Sequence, residues 1–187
     1  MVSEAGCTPL KQAAGDGHEA VVKMLLEAGA NANKANNNGF NPLHAAALKG
    51  HEAVVKVLLK AGVDANKAGN NEAAPLHLAA LNGHLAVVKA LLEAGANTDE
   101  VPNEGFTALY LAAAKGPTTV VEALLKAGAE NKATSGRVTA KYVAVENGHT
   151  AVVKVLLEAG VDANITRRQM PSLRHCRRLC IVAIWQW

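Results

Sequence analysis

The chain has 187 residues, half of them apolar but only 3% aromatic, and a formal net charge of +3. Its apolar mass is therefore Ala, Val and Leu, of which Ala and Leu favour helix, in a length sufficient for one ordinary domain. The charge is unevenly placed: residues 1–165 carry 14 Lys and Arg against all 16 Asp and Glu, whereas 166–187 carry five Arg and no acid. A nearly neutral body has no long basic face for a phosphate backbone, which excludes nucleic acid as its partner.

The first seven residues, Met1 to Cys7, hold neither a basic segment nor an apolar run, so no secretory leader is read there. The three cysteines (Cys7, Cys176 and Cys180) are too few and too odd in number for a disulfide framework, which points to a reducing, intracellular and most simply cytoplasmic setting.

From Thr8 onward the chain repeats itself. Gly17-His18-Glu19-Ala20-Val21-Val22-Lys23 returns 33 residues on as Gly50-His51-Glu52-Ala53-Val54-Val55-Lys56, and again as Gly83-His84-Leu85-Ala86-Val87-Val88-Lys89. Looser copies begin at Gly116 and, after a step of 32 residues, at Gly148. Each copy has a physical reading. Thr8-Pro9 and Asn41-Pro42 pair a capping side chain with a proline at the first helical position, where its missing N–H costs nothing. The short helix that follows carries Leu43, Ala46 and Ala47 on one face and stops at Gly50. A second helix starts near Glu52, stacks Val54, Val55, Leu58 and Leu59 at helical spacing, and ends at Gly62. The Asn- and Gly-rich run from Asp64 to Asn71 reads as a loop. Helices this short are marginal alone, since fewer than about 12–15 residues rarely hold in water. The units must therefore stack, giving an all-α solenoid.

With Thr8-Pro9-Leu10, Pro42-Leu43-His44, Pro75-Leu76-His77-Leu78-Ala79-Ala80 and Thr107-Ala108-Leu109 the sequence resembles the ankyrin repeat family. The resemblance implies helix-turn-helix units with protruding hairpin-like loops, in five repeats at about 3–35, 36–68, 69–101, 102–134 and 135–165. Some positions depart from the family pattern. Ala74 removes a cap, Lys11 and Gln12 suit a terminal repeat that needs a wet outer face, and Lys141-Tyr142-Val143 makes the first helix of the fifth repeat the least regular.

Catalytic and metal chemistry are not expected, nor is a cofactor or a small-molecule substrate. His18, His51, His84 and His149 share one repeat position, and one imidazole per rung without converging Cys or acid is not ligand geometry. They read as structural hydrogen bonders, as do His44 and His77. No Gly-rich phosphate loop, nucleophile elbow or zinc-helix motif is present.

The resemblance implies instead that a protein partner is met by loop tips and by the exposed face of the first helices. At the loops these positions are Asn37, Asn38 and Phe40, then Asn70, Asn71 and Ala73, then Asn103, Glu104 and Phe106. On the helices they are Leu48 and Lys49, Leu81 and Asn82, and Ala114 and Lys115. Phe40, Phe106, Leu48 and Leu81 are expected to be exposed anchors within a polar rim. The chain is expected to be a monomeric adaptor, scaffold or regulator, with a structural spacer lacking any specific partner as the alternative.

Residues 166–187 leave the repeat pattern. Leu173, Cys176, Cys180, Ile184 and Trp187 fall near one side of a helix with Arg174, Arg177 and Arg178 opposite, a pattern that fits a cap over the last repeat. Residues 171–181 are also similar to the start of a suppressor-of-cytokine-signalling box, with Arg177 at that motif's cysteine position. That resemblance implies a ubiquitin-ligase substrate adaptor that binds elongin. A foreign extension or a membrane-touching segment stays open for this tail, although its apolar end, 179–187, is too short to span a bilayer.

Overall fold

A computed structural model describes residues 6–102, 105–131 and 138–161. Among the described residues there are ten α-helices and no strand, arranged as five antiparallel pairs. The first helices are α1 (Pro9–Gly15), α3 (Pro42–Lys49), α5 (Pro75–Leu81), α7 (Ala108–Lys115) and α9 (Ala140–Glu146). Each is followed by its partner: α2 (Glu19–Glu27), α4 (Glu52–Lys60), α6 (Leu85–Glu93), α8 (Thr118–Lys126) and α10 (Thr150–Glu158). First helices pack on first helices and second on second along the stack, and each pair also packs within itself.

Local chemistry sets the bounds. The Thr8 hydroxyl accepts from Lys11 N–H at 3.2 Å, Thr107 from Tyr110 N–H at 3.2 Å and Thr139 from Tyr142 N–H at 3.3 Å, so these three helices start with a side-chain cap. Ala74 offers no such acceptor, and there His77 Nδ1 accepts from Ala74 N–H at 3.1 Å instead. Gly50 and Gly116 take the left-handed conformation that closes α3 and α7, with φ of 81° and 95°.

The core is one continuous column of Leu, Val and Ala. Leu10, Leu43, Leu76 and Leu109 hold the same place on successive first helices and are buried. In the fifth repeat Lys141 holds that place and is buried too, laying its aliphatic stem where the others lay a leucine.

One expectation about the N-terminal repeat is corrected. Lys11 is buried, not on a wet end face, and burial lowers its pKa. It stands at the register of His44 and His77, which reach toward the following repeat. Gln12 is exposed and bonds Asp16 at 2.8 Å. The N-terminal end of the stack instead presents Val21 and Met24, both exposed.

Candidate functional site

Of the six described histidines, all but His18 are spent on structure. His51 Nε2 donates to Gly15 O at 3.0 Å, His84 Nε2 to Leu48 O at 3.0 Å and His149 Nε2 to Ala114 O at 3.1 Å. Each ring thus satisfies a carbonyl at the end of the preceding repeat's first helix, where intrahelical donors run out. Pro117 replaces the ring in the fourth repeat. His18, on the first repeat, is exposed.

His44 and His77 form a second series. His44 Nε2 lies 3.3 Å from Ala73 O and His77 Nε2 lies 3.0 Å from Glu100 O, tying each repeat to the chain that enters the next. Burial pushes the His44 pKa down to about 4, against the opposing pull of the Ala73 carbonyl, and burial lowers that of His77 as well. Both rings are therefore neutral near pH 7. Among the described residues no three His, Cys, Asp or Glu side chains converge as a metal site would require.

The first two loop tips are bonded to each other. Asn70 Nδ2 donates to Asn37 O at 2.8 Å and Asn70 N–H to Asn38 O at 3.0 Å. Lower in the loops Asn97 N–H donates to Asn66 Oδ1 at 2.7 Å, Asn66 Nδ2 to Gly95 O at 3.1 Å and Glu130 N–H to Asp99 Oδ1 at 3.0 Å. Asn and Asp thus act as rungs between loops, fixing the projecting edge before any partner arrives.

The positions expected to meet a partner divide into four groups: exposed, half-buried, buried and outside the described residues. Asn37, Asn38, Lys49, Asn70, Asn71, Asn82 and Lys115 are exposed, and Leu48, Ala73, Phe106 and Ala114 are half-buried. Asn103 and Glu104 lie outside the described residues, as does the whole tail, 166–187, with the capping, elongin-binding and membrane readings made for it.

Phe40 and Leu81 are corrections: each is only 7% exposed, so neither is a wet anchor. The Phe40 ring tilts onto His44, with centroids 4.9 Å apart at 50°, and crowds the next loop so closely that a Cβ on Gly69 would stand 2.6 Å from its Cε1. Phe40 is a packing residue between repeats. Leu81 ends a helix flanked on both sides, by α3 and α7. Phe106 also turns back on its own repeat, stacked on Tyr110 with centroids 4.8 Å apart.

A groove of about 400 Å³ runs over the first-helix face of repeats one to three, lined among others by Gln12, Asp16, Ala45, Leu48, Lys49 and Asn82. Gln12, Asp16 and Ala45 were not among the expected positions. Simple register would have found them, because Asp16 is the first-repeat counterpart of Lys49, Asn82 and Lys115, and Gln12 and Ala45 are counterparts of Leu78 and Leu111. The opposite face, formed by the second helices, is a solvated one. Lys23 and Lys56 pair with Glu19 and Glu52 one turn back, each at 2.6 Å, and all four are well exposed.

Among the described residues no helix is long and apolar enough to cross a membrane. A comparison with curated proteins returned no match. The family model described as ankyrin repeats in three copies matches residues 1–69 and 61–135, and the single ankyrin repeat model matches 142–168. Ankyrin repeats generally serve as protein–protein interaction modules. Matched over most of its length, and built of stacked helix pairs with projecting loops, the chain belongs to the ankyrin repeat family.

Proposed function

We propose that the protein is a non-catalytic adaptor or scaffold that receives one protein partner along the first-helix groove and the bonded loop tips beside it. The observation that carries this reading is the composition of the groove. Half-buried Leu48 and buried Ala45 form its floor, and exposed Lys49 and Asn82 stand at its rim. An apolar floor with a polar rim is how protein-binding patches are built. Half-buried Leu78, Leu111 and Ala114 with exposed Lys115 continue the same register onto the third and fourth repeats. A complementary segment would bring an aliphatic or aromatic side chain to Leu48 and acceptors, carboxylates above all, to Lys49 and Lys115. Because the loop edge is already cross-bonded, little ordering entropy is left to lose on binding.

The test is site-specific photo-crosslinking in cells with a benzophenone amino acid at Leu48, and in parallel at Lys56 on the second-helix face. A discrete protein adduct from position 48, absent from position 56 and abolished by Lys49→Glu with Lys115→Glu, is the expected outcome. The same set of adducts from both faces would refute the assignment.

A further inference from the structure

The C-terminal end of the stack exposes what every internal junction buries. Ala14, Ala47, Ala80 and Ala113, at one register of the first helices, are each 0% exposed, yet Val145 at that register in α9 is 59% exposed. On α10 Leu157 is 43% exposed, while its counterparts Leu26, Leu59, Leu92 and Leu125 are only partly so. Val153 is half-buried where Val22, Val55, Val88 and Val121 are sealed. The last repeat therefore ends in the open half of an inter-repeat junction. An uncovered end is what a solenoid needs to seal.

We propose that residues 171–187 of this same chain close that face, laying Leu173, Cys176, Cys180, Ile184 and Trp187 over Val145, Val153 and Leu157. Three features support this occupant over others. The first is place: α10 ends at Glu158 and the described chain at Val161, so the segment is tethered at the rim of the face. The connecting residues 162–170 can span about 30 Å when extended, several times the roughly 10 Å between packed helices. The second is pattern, since those five apolar residues recur at helical spacing. The third is charge. Residues 166–187 hold five Arg and no acid, and the last repeat presents Glu146 and Glu158, both exposed.

Both tryptophans of the chain, Trp185 and Trp187, lie in this segment, so the fluorescence of the intact protein reads it directly. In the native full-length chain the emission should be blue-shifted from that of the urea-unfolded chain and several-fold less accessible to acrylamide. Val145→Asp with Leu157→Asp should return both readings to the unfolded values with far-UV helicity retained, and Val21→Asp at the other end should leave them unchanged. Native emission equal to the unfolded value would overturn the proposal. So would burial that survives Val145→Asp with Leu157→Asp, or burial lost on dilution, which would mean that a second copy's Val21–Met24 end is the cover. The first reading needs no substitution, so it decides even if the double variant fails to fold.

Discussion

Gly50 and His84, a repeat apart, share one site: a Cβ on Gly50 would stand 2.6 Å from His84 Nδ1, and the same ring donates from Nε2 to Leu48 O. Gly17 with His51 and Gly116 with His149 repeat the arrangement. The glycine of one repeat is thus required twice, by its positive φ and by its neighbour's ring. Gly50→Ala should cost about 2 kcal/mol, roughly half from the left-handed backbone and the rest from the clash. His84→Ala should cost about 1–2 kcal/mol through the orphaned carbonyl. Urea unfolding of the double variant should show less than the summed loss, because removing the ring relieves the clash. Strict additivity would mean that the two do not share that space.

Asn41 is an imperfect partner for His44. The His44 ring donates from Nε2 toward Ala73, so its Nδ1 accepts, and it does accept from Asn41 N–H at 3.3 Å. Yet Asn41 Oδ1, which caps His44 N–H at 3.1 Å, stands 2.7 Å from that same Nδ1, acceptor against acceptor. Asn41 Nδ2 is buried with no hydrogen-bond partner among the described residues. A threonine hydroxyl can cap the N–H and donate to Nδ1 at once. Asn41→Thr should therefore raise stability by about 1 kcal/mol, read as a higher urea midpoint at unchanged slope. A lower midpoint would contradict the acceptor conflict.

The buried imidazoles make stability depend on pH. In the unfolded chain His44 titrates near 6.5, and in the folded one near 4, so between these values the unfolded state holds the extra proton. Stability is full above pH 6.5 and falls as the pH drops toward 4, by roughly 3 kcal/mol for His44 alone. His77 is shifted the same way and adds to the slope. Chemical unfolding between pH 7 and pH 5, above most carboxylate titrations, should show the decline. A flat profile across that interval would mean that these rings are solvated.

Glu72 sits at φ 62°, where the first and third loop tips use Gly39 and Gly105, both at 77°. A side chain there bears the steric penalty of the left-handed region. Glu72→Gly should stabilise the protein by about 0.5–1 kcal/mol in thermal or urea unfolding. A loss of stability would show that the carboxylate is worth more than the strain it brings.

The helix pairs were legible because local residues dictate them: Thr8 and Thr139 cap, Pro42 and Pro75 start, and Gly50 and Gly116 stop. The candidate surface was legible only where burial is a matter of register. Lys49, Asn82 and Lys115 fall on the outside as their positions demand. Phe40 was misjudged because its cover comes from Gly69, a residue in the next loop whose lack of a side chain leaves room for the ring. Lys11 was misjudged because polarity was read as exposure, whereas the repeat position fixes the direction and the long stem follows it inward. The exposure of Val21 could not be seen, since its letter matches that at Val54 and only the absence of a neighbour separates them.

Pro117 has a consequence for where the column opens locally. A proline ring cannot reach back to Leu81 O as His51, His84 and His149 reach to their carbonyls, so the end of α5 lacks that imidazole bond, although His77 Nε2 still reaches Glu100 O at the loop side of the same junction. Its helices pack there as they do at the other junctions, so what is missing is one directional bond and not buried surface. Local opening at the end of α5 should be correspondingly easier, read as faster amide exchange there than at the ends of α1, α3 and α7.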